Sequence, residues 1–242
     1  MNKQKLVRFI NKYYLKGLVQ SVILNSNSEQ QKLNTRFVSD DKTLLGLVEM
    51  DKWNFEDATI GIYTTEQLLS LLGVLDEDIN VSILKADEKA FAIKINDSIS
   101  AVNYMLSDPS IINDPPSIQN IPDFELEIDV TPTLSEKFRA GKSALTDVTT
   151  FTVVTSSSDK TNLIIGYSSV NTNRVNIPVN TSKFSQIDNV SFNAEYFSSI
   201  LEVNKECESA TLEVSSEGLA KIIFKVDDYT STYWLVATTE VD

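Results

Sequence analysis

The first sixteen residues carry five basic side chains and no acidic one, in a chain whose net charge is −13. The whole chain has 21 Lys and Arg against 34 Asp and Glu, so this cluster stands out from an acidic background. Basic side chains gathered on one short segment bind anions such as phosphate groups. The five are Lys3, Lys5, Arg8, Lys12 and Lys16.

The spacing of these residues predicts that most of them share one face of a helix. The last four step by three, four and four along the chain, which is the repeat of an α-helix. Apolar residues follow the same rhythm, and we place them on the opposite side. We therefore predict an amphipathic first helix with a cationic front and an apolar back formed by Leu6, Phe9, Ile10 and Tyr13.

A basic amphipathic helix is not specific to anion binding. A solvated surface helix shows the same pattern, and so does a mitochondrial transit peptide. Transit peptides are rich in Arg and Ser, whereas this segment has one Arg and no Ser. The transit peptide is therefore disfavoured, but this helix alone does not separate an anion-binding surface from a solvated one.

Residue types that carry most enzymatic chemistry are scarce. The chain has no histidine and one cysteine, Cys207, which removes Ser-His-Asp and Cys-His catalysis and the usual zinc ligand sets. The Ala-Gly-Lys-Ser stretch at 140–143 is not a phosphate-binding loop, because Glu136 stands where that motif needs glycine. We expect no enzymatic activity, no cofactor and no metal site.

Other features place limits on the compartment and on metal binding. The single cysteine excludes an internal disulfide and fits a reducing compartment. No run approaches the roughly 18 apolar residues of a membrane span. We expect an intracellular protein without membrane partners, and we interpret the acidic clusters at 40–41 and 76–78 as turns, not as Mg²⁺ sites.

The order of predicted elements repeats in the two halves of the chain. Residues 62–72 (IYTTEQLLSLL) match residues 191–201 (SFNAEYFSSIL), and each half runs helix, strands, helix, three strands. The first helix of the second half, over 132–145, is also basic and begins with proline. We predict an α+β fold of two repeated domains with antiparallel sheets and two short helices each. The basic residues of this helix are Lys137, Arg139 and Lys142.

Residues 107–122 separate the two halves. The sequence SDPSIINDPPSIQNIP holds four of the six prolines, which favours an extended connector over a helix or a central strand. The predicted domains are therefore 1–106 and 123–242. Four isoleucines indicate that the connector lies partly against a surface: Ile111, Ile112, Ile118 and Ile121.

This arrangement resembles the DNA sliding clamps, and is closest to the two-domain clamps, proliferating cell nuclear antigen and the clamps of T4-like bacteriophages. The resemblance covers essentially the whole chain. It is carried by LLGLVEMDKWNFEDATIGIY with TTEQLLSLL, and by the C-terminal VDDYTSTYWLVATTEVD. The likeness lies in the order of the elements and in their general residue pattern, and no short invariant motif defines it. One departure is that the nuclear antigen has a strand before its first helix, whereas the helix pattern here begins next to Met1.

The resemblance implies a homotrimeric ring around duplex DNA of any sequence. Sheets would form the outer wall of this clamp fold and helices would line the hole. The ring would tether the replicative DNA polymerase and confer processivity, and a clamp-loader ATPase would open it. The location implied by the phage clamps is the cytoplasm of an infected bacterial host.

The resemblance also assigns residues to three surfaces. DNA contact falls on the eight basic residues of the two helices, although Lys137 and Arg139 diverge by about 200°, so that one of them faces elsewhere. The strand at 98–105 would pair with the strand at 173–179 of the next copy. Partner peptides would bind at Leu44, Leu45, Ile111, Ile112, Ile118, Ile121, Leu235, Val236 and Ala237.

Two other classes of protein remain open at this point. A β-rich viral structural or protein-interaction protein could use the basic helices against another protein without encircling DNA. An enzyme working with carboxylates and Mg²⁺ comes third, since the absence of histidine counts against catalysis.

Overall fold

The computed structural model describes residues 1–87, 89–116, 120–168, 170 and 172–238. The chain divides into two compact units, Met1–Val38 with Leu47–Pro115, and Ser39–Gly46 with Pro116–Asp242. The division between Pro115 and Pro116 falls within the connector predicted at 107–122. The assignment of Ser39–Gly46 to the second unit has no counterpart in the sequence prediction.

In its described residues the first unit holds two α-helices, two short 3-10 helices and two antiparallel sheets. Its strands are ordered β3-β2-β1-β4 in one sheet and β5-β6-β7 in the other, and the first residues of β3 belong to the second unit. The elements are α1 (Lys3–Tyr14), β1 (Val22–Asn27), β2 (Lys32–Val38), β3 (Leu44–Asp51), β4 (Ala58–Ile62), α2 (Thr65–Leu72), β5 (Asn80–Ala86), β6 (Lys89–Asn96) and β7 (Ala101–Met105).

The second unit repeats this plan with two additional strands. Its sheets are ordered β11-β10-β9-β13 and β12-β8-β14-β15-β16. The elements are β8 (Leu126–Val130), α3 (Pro132–Ala144), β9 (Thr150–Ser156), β10 (Lys160–Ile165), β11 (Val175–Val179), β12 (Thr181–Lys183), β13 (Val190–Asn193), α4 (Ala194–Val203), β14 (Ala210–Val214), β15 (Leu219–Val226) and β16 (Tyr229–Val236).

The predicted repeat is confirmed by these strand orders. The order β3-β2-β1-β4 corresponds to β11-β10-β9-β13, and β5-β6-β7 corresponds to β14-β15-β16. The helices correspond as α1 with α3 and α2 with α4. In the described part of the first unit, β8 and β12 have no counterpart.

Local sequence sets where the two basic helices begin and end. The Asn2 side chain accepts a hydrogen bond from the Gln4 N–H at 2.8 Å, which caps α1, and Leu15 ends it in the left-handed conformation at φ 48°. The Thr131 hydroxyl caps α3 by accepting from the Leu134 N–H at 3.2 Å. The Ala-Gly-Lys-Ser stretch lies inside α3, as the missing glycine predicts.

Both basic helices bury an apolar side. The predicted apolar residues of α1 are all at most 6% exposed. In the second unit, Phe138 of α3 lies edge-on to Phe197 of α4 and to Phe151 of β9, with ring centroids 4.8 and 5.0 Å apart. Such aromatic pairs fix the helices against the sheet. This packing determines which side chains of α1 and α3 are left to meet solvent or a ligand.

Candidate nucleic-acid interface

The cations of α1 are less exposed than the sequence predicts. Lys3 donates to the Leu75 carbonyl and lies 3.9 Å from the Glu77 carboxylate, and 12% of its side chain is exposed. Lys5 and Arg8 are half-buried and also have interaction partners. All three side chains are partly exposed, but each of them also interacts with another group of the protein.

Lys12 and Lys16 do not lie where the helical spacing places them. Lys12 is 1% exposed and has an interaction partner, so it is not part of an open cationic front. It lies one turn from Phe9, at the edge of the apolar side, where a long methylene stem is covered. Lys16 follows the end of α1 with φ 60°, and it is exposed. The prediction of one continuous basic face over α1 was therefore wrong for these two residues.

The three cations of α3 have different surroundings. Lys137 is exposed. Arg139 makes an ion pair with Glu202 and donates to the Ser135 carbonyl at 3.3 Å. Lys137 and Arg139 thus face different directions, as their spacing predicts.

Lys142 is the most buried cation of α3, at 9% exposed. Its ammonium lies 3.3 Å from the Glu195 carboxylate and donates to the Thr146 carbonyl at 3.2 Å. Sequence reasoning did not assign a role to Glu195 or Glu202, because both lie on α4, far from α3 in the chain. The one signal was the alignment of Glu195 with Glu66 in the repeat.

The residues assigned to partner peptides fall into two groups. Leu44, Leu45, Ile112 and Leu235 are at most 9% exposed and belong to the core, so they cannot present their side chains to a peptide without rearrangement. Ile118 lies outside the described residues. Ala237 is half-buried. The exposed apolar residues of the predicted set are Ile111, Ile121 and Val236, at 62%, 53% and 37%.

The acidic cluster predicted as a turn at 40–41 does lie in a turn, and its Asp41 carboxylate accepts several hydrogen bonds. Asp41 accepts hydrogen bonds from the Ser39 hydroxyl at 2.5 Å and from the Thr43 N–H at 3.1 Å. Burial raises the pKa of Asp41, but these bonds and one from Tyr196 of α4 outweigh it and hold the pKa below its ordinary value. Burial also raises the pKa of Tyr196, and the Asp41 carboxylate raises it further.

The two strands predicted to join copies both end a sheet. β7 is an edge strand of the sheet β5-β6-β7, and β11 is an edge strand of the sheet β11-β10-β9-β13. Met105 of β7 is 64% exposed, and Ile99 just before β7 is 85% exposed. Pro178 of β11 has no N–H to donate, which is typical of an edge strand.

Comparison with solved structures identifies the architecture. Proliferating Cellular Nuclear Antigen from Entamoeba histolytica matches with a TM-score of 0.74 at 12% identity, over 99% of this chain and 97% of that chain. The chain has the sliding-clamp fold. A. fulgidus PCNA, solved with the C-terminal region of FEN-1 bound to it, matches with a TM-score of 0.74 at 15% identity, over 100% of this chain and 98% of that chain.

The solved clamps that match are 12% and 15% identical to this chain, so the likeness lies mainly in the fold. No family model and no curated protein matches the sequence. The predicted fold class, two pseudo-repeated clamp domains built from antiparallel sheets with two helices each, is confirmed. None of the helices in the described residues has the length and apolar composition to cross a membrane.

Proposed function

We propose that this protein is a sliding clamp that encircles duplex DNA as a ring of three copies and tethers a DNA polymerase. The observation that carries the proposal is the clamp fold itself, which matches solved clamps over 99% and 100% of this chain. In this role the protein has no enzymatic activity, and an ATP-driven loader opens the ring. The phage source and the host cytoplasm are further parts of this proposal.

The open edges support ring closure. Within the second unit, β16 ends beside the first residues of β3, where the Val236 N–H donates to the Thr43 carbonyl at 2.8 Å. By the repeat, β16 corresponds to β7 and β3 corresponds to β11. Pairing of β7 with β11 of the next copy would therefore repeat between copies a contact that the second unit makes internally. It would also cover two edges that otherwise risk aggregation.

The charge distribution supports DNA contact without sequence recognition. Cations that neutralise phosphates give affinity but do not distinguish bases. Lys16 and Lys137 are exposed, and Lys5 and Arg8 are half-buried, so these four are the first candidates for phosphate contact. The acidic remainder of a chain with net charge −13 would repel DNA from other surfaces. Weak contacts suffice, because a closed ring is retained by topology.

Exposed apolar residues support a role as a docking platform. Ile111, Ile121 and Val236 offer apolar surface in the connector and near the C-terminus. A. fulgidus PCNA binds the C-terminal region of FEN-1. We propose that polymerase and loader bind this protein through short apolar peptides, with Ile111 of the first unit and Ile121 and Val236 of the second as separate candidate contacts.

A threading experiment tests the ring without a loader. The protein is incubated with linear duplex DNA that has free ends, and both ends are then blocked with streptavidin. A ring stays on the blocked DNA at high salt and leaves when a nuclease cuts the duplex. DNA blocked before incubation is the control and should retain no protein. Equal, salt-sensitive binding to both DNAs would show ordinary electrostatic association and overturn encirclement.

A further inference from the structure

The outer edge of β5 is open where the corresponding strand of the second unit is covered. β14 lies between β15 and β8, and pairs with β8 in an antiparallel register that sets Leu212 opposite Ile128. β5 is the counterpart of β14, but it ends its sheet. In the described part of the first unit, no strand takes the place of β8.

The first residues of the chain cover only the beginning of this edge. The Ile79 N–H donates to the Met1 carbonyl at 2.9 Å, and the Met1 amine donates to the Ile79 carbonyl at 2.6 Å. The chain then enters α1 at Lys3 and leaves the edge. Backbone groups of alternate strand residues point the same way, so those of Val81 and Ile83 point outward like those of Ile79.

A cavity of about 350 Å³ lies beside this edge. Asn80 and Val81 of β5 form one side, and Trp53 and Phe55 line it from the loop after β3, with ring centroids 5.4 Å apart. The indole N–H of Trp53 already donates to the Ser26 hydroxyl at 3.0 Å, and 5% of the residue is exposed, so the ring contributes a small apolar area to the cavity wall. The volume falls within the range of ligand pockets in proteins.

The lining favours an occupant with both apolar and acidic side chains. Among the described lining residues, the charged side chains are those of Lys5 and Lys52, which also have interaction partners of their own, and none is a carboxylate. β8 pairs with β14, the counterpart of β5, so its residues indicate which composition such an edge accepts in this fold. Its buried residues alternate with acidic ones in the order Leu126, Glu127, Ile128, Asp129 and Val130.

We propose that the outer edge of β5 is a docking site for an extended segment of a partner protein in which apolar residues alternate with acidic ones. The segment adds a strand to β5-β6-β7, as β8 does in the second unit. Its backbone bonds to Val81 and Ile83, an apolar side chain enters the cavity beside Trp53, and a carboxylate meets Lys52. This is strand addition, in which main-chain bonds give affinity and alternate side chains give specificity.

The probe is a peptide with the sequence of residues 124–130, FELEIDV. A Trp234→Phe variant leaves Trp53 as the one tryptophan of the chain, so its emission reports peptide binding. Hydrogen exchange reports the geometry. The amides of Val81 and Ile83 should exchange at least about tenfold more slowly with peptide bound, whereas that of Ser82, which pairs with β6, should not change.

Matched controls separate strand addition from other binding. A scrambled peptide and a peptide N-methylated on alternate residues should not bind. Lys52→Glu should weaken the peptide about fivefold, and Lys160→Glu, at an exposed position of β10, should leave it unchanged. Circular dichroism checks that both variants fold. Neither lysine is assigned to DNA, so failure here leaves the proposed function intact.

Two results would overturn the docking site. One is equal binding of the scrambled peptide. The other is a change in Trp53 emission without protection of Val81 and Ile83, which would show that the peptide enters the cavity without joining the sheet.

Discussion

The ammonium of Lys142 on α3 lies 3.3 Å from the carboxylate of Glu195 on α4. Glu202 of α4 pairs in the same way with Arg139, so α4 neutralises two of the three cations on the basic helix of the second unit. A phosphate approaching α3 competes with these carboxylates. We infer that α4 would limit how strongly this helix attracts DNA in the proposed ring.

Removing the carboxylate of Glu195 should therefore strengthen DNA binding. In Glu195→Gln, Lys142 loses its counter-charge, and affinity for a short duplex should rise about threefold. Fluorescence anisotropy of a labelled duplex over a salt series measures this affinity. The slope of log K against log salt should steepen by the amount expected for about one additional phosphate contact. Glu208→Gln, at an exposed position, makes the same change in net charge. An equal gain in both variants would assign the effect to net charge alone.

Lys12 should matter for stability more than an exposed lysine does. Lys12→Ala removes a 1% exposed side chain and should lower the free energy of unfolding by about 2 kcal/mol, because the methylene stem is packed. Urea unfolding followed by circular dichroism measures the change. Lys16→Ala, at an exposed position, is the control and should stay within about 0.5 kcal/mol. Equal stability of the two variants would contradict the buried position of Lys12.

A proline on the open edge of β7 should separate the copies. The Leu106 N–H donates to the Phe91 carbonyl at 2.9 Å, so the N–H of Asn103, an odd number of residues away, points away from β6. Asn103→Pro removes that N–H and keeps the ladder to β6. Light scattering after gel filtration should fall from three times 27.0 kDa to 27.0 kDa.

Asn103→Ala keeps the N–H and is the matched control, which should remain trimeric. If Asn103→Pro were also trimeric, the copies would join elsewhere. A monomeric unsubstituted protein would remove the ring altogether.

Asp41 should couple to the titration of Tyr196. Asp41→Asn removes a negative charge beside the phenol, so the pKa of Tyr196 should fall toward its ordinary value. NMR of ring-labelled tyrosine measures it. Asp40→Asn changes the neighbouring charge, and we expect a smaller effect because Asp40 contributes less to the raised pKa of Tyr196. If the pKa of Tyr196 fell further in Asp40→Asn than in Asp41→Asn, the main electrostatic partner of Tyr196 would be Asp40 and the prediction would be wrong.

The same carboxylate predicts a pH dependence of stability. The pKa of Asp41 is lowered in the folded state, so its stabilisation is fully present above the ordinary Asp pKa of about 3.9. It is lost as the pH falls through the lower folded value. The stability difference between the unsubstituted protein and Asp41→Asn, measured by urea unfolding near neutral pH, should therefore vanish in acid below both pKa values.

The sequence was sufficient to predict the helices, because capping and apolar spacing act over a few residues. Comparing the order of these elements in the two halves then predicted the repeat. Pro132 begins α3 as predicted. Pattern did not locate Glu195 and Glu202 beside α3, since no local rule links residues on helices so far apart in sequence. Spacing also placed Lys12 on a front face, whereas in the structure it is 1% exposed. Burial at the edge of an apolar stripe depends on what packs there, which only the tertiary structure shows.

The second unit is discontinuous in sequence, because Ser39–Gly46 comes from within the first half of the chain. In that segment, the Thr43 carbonyl accepts a hydrogen bond from the Val236 N–H, and the Asp41 carboxylate accepts one from the Tyr196 hydroxyl. A fragment starting at Pro116 would lack both partners, so we expect it to be less stable than the second unit within the whole chain. During translation, residues 39–46 leave the ribosome long before β16 is made. The second unit therefore completes its sheet only when the last strand has been synthesised.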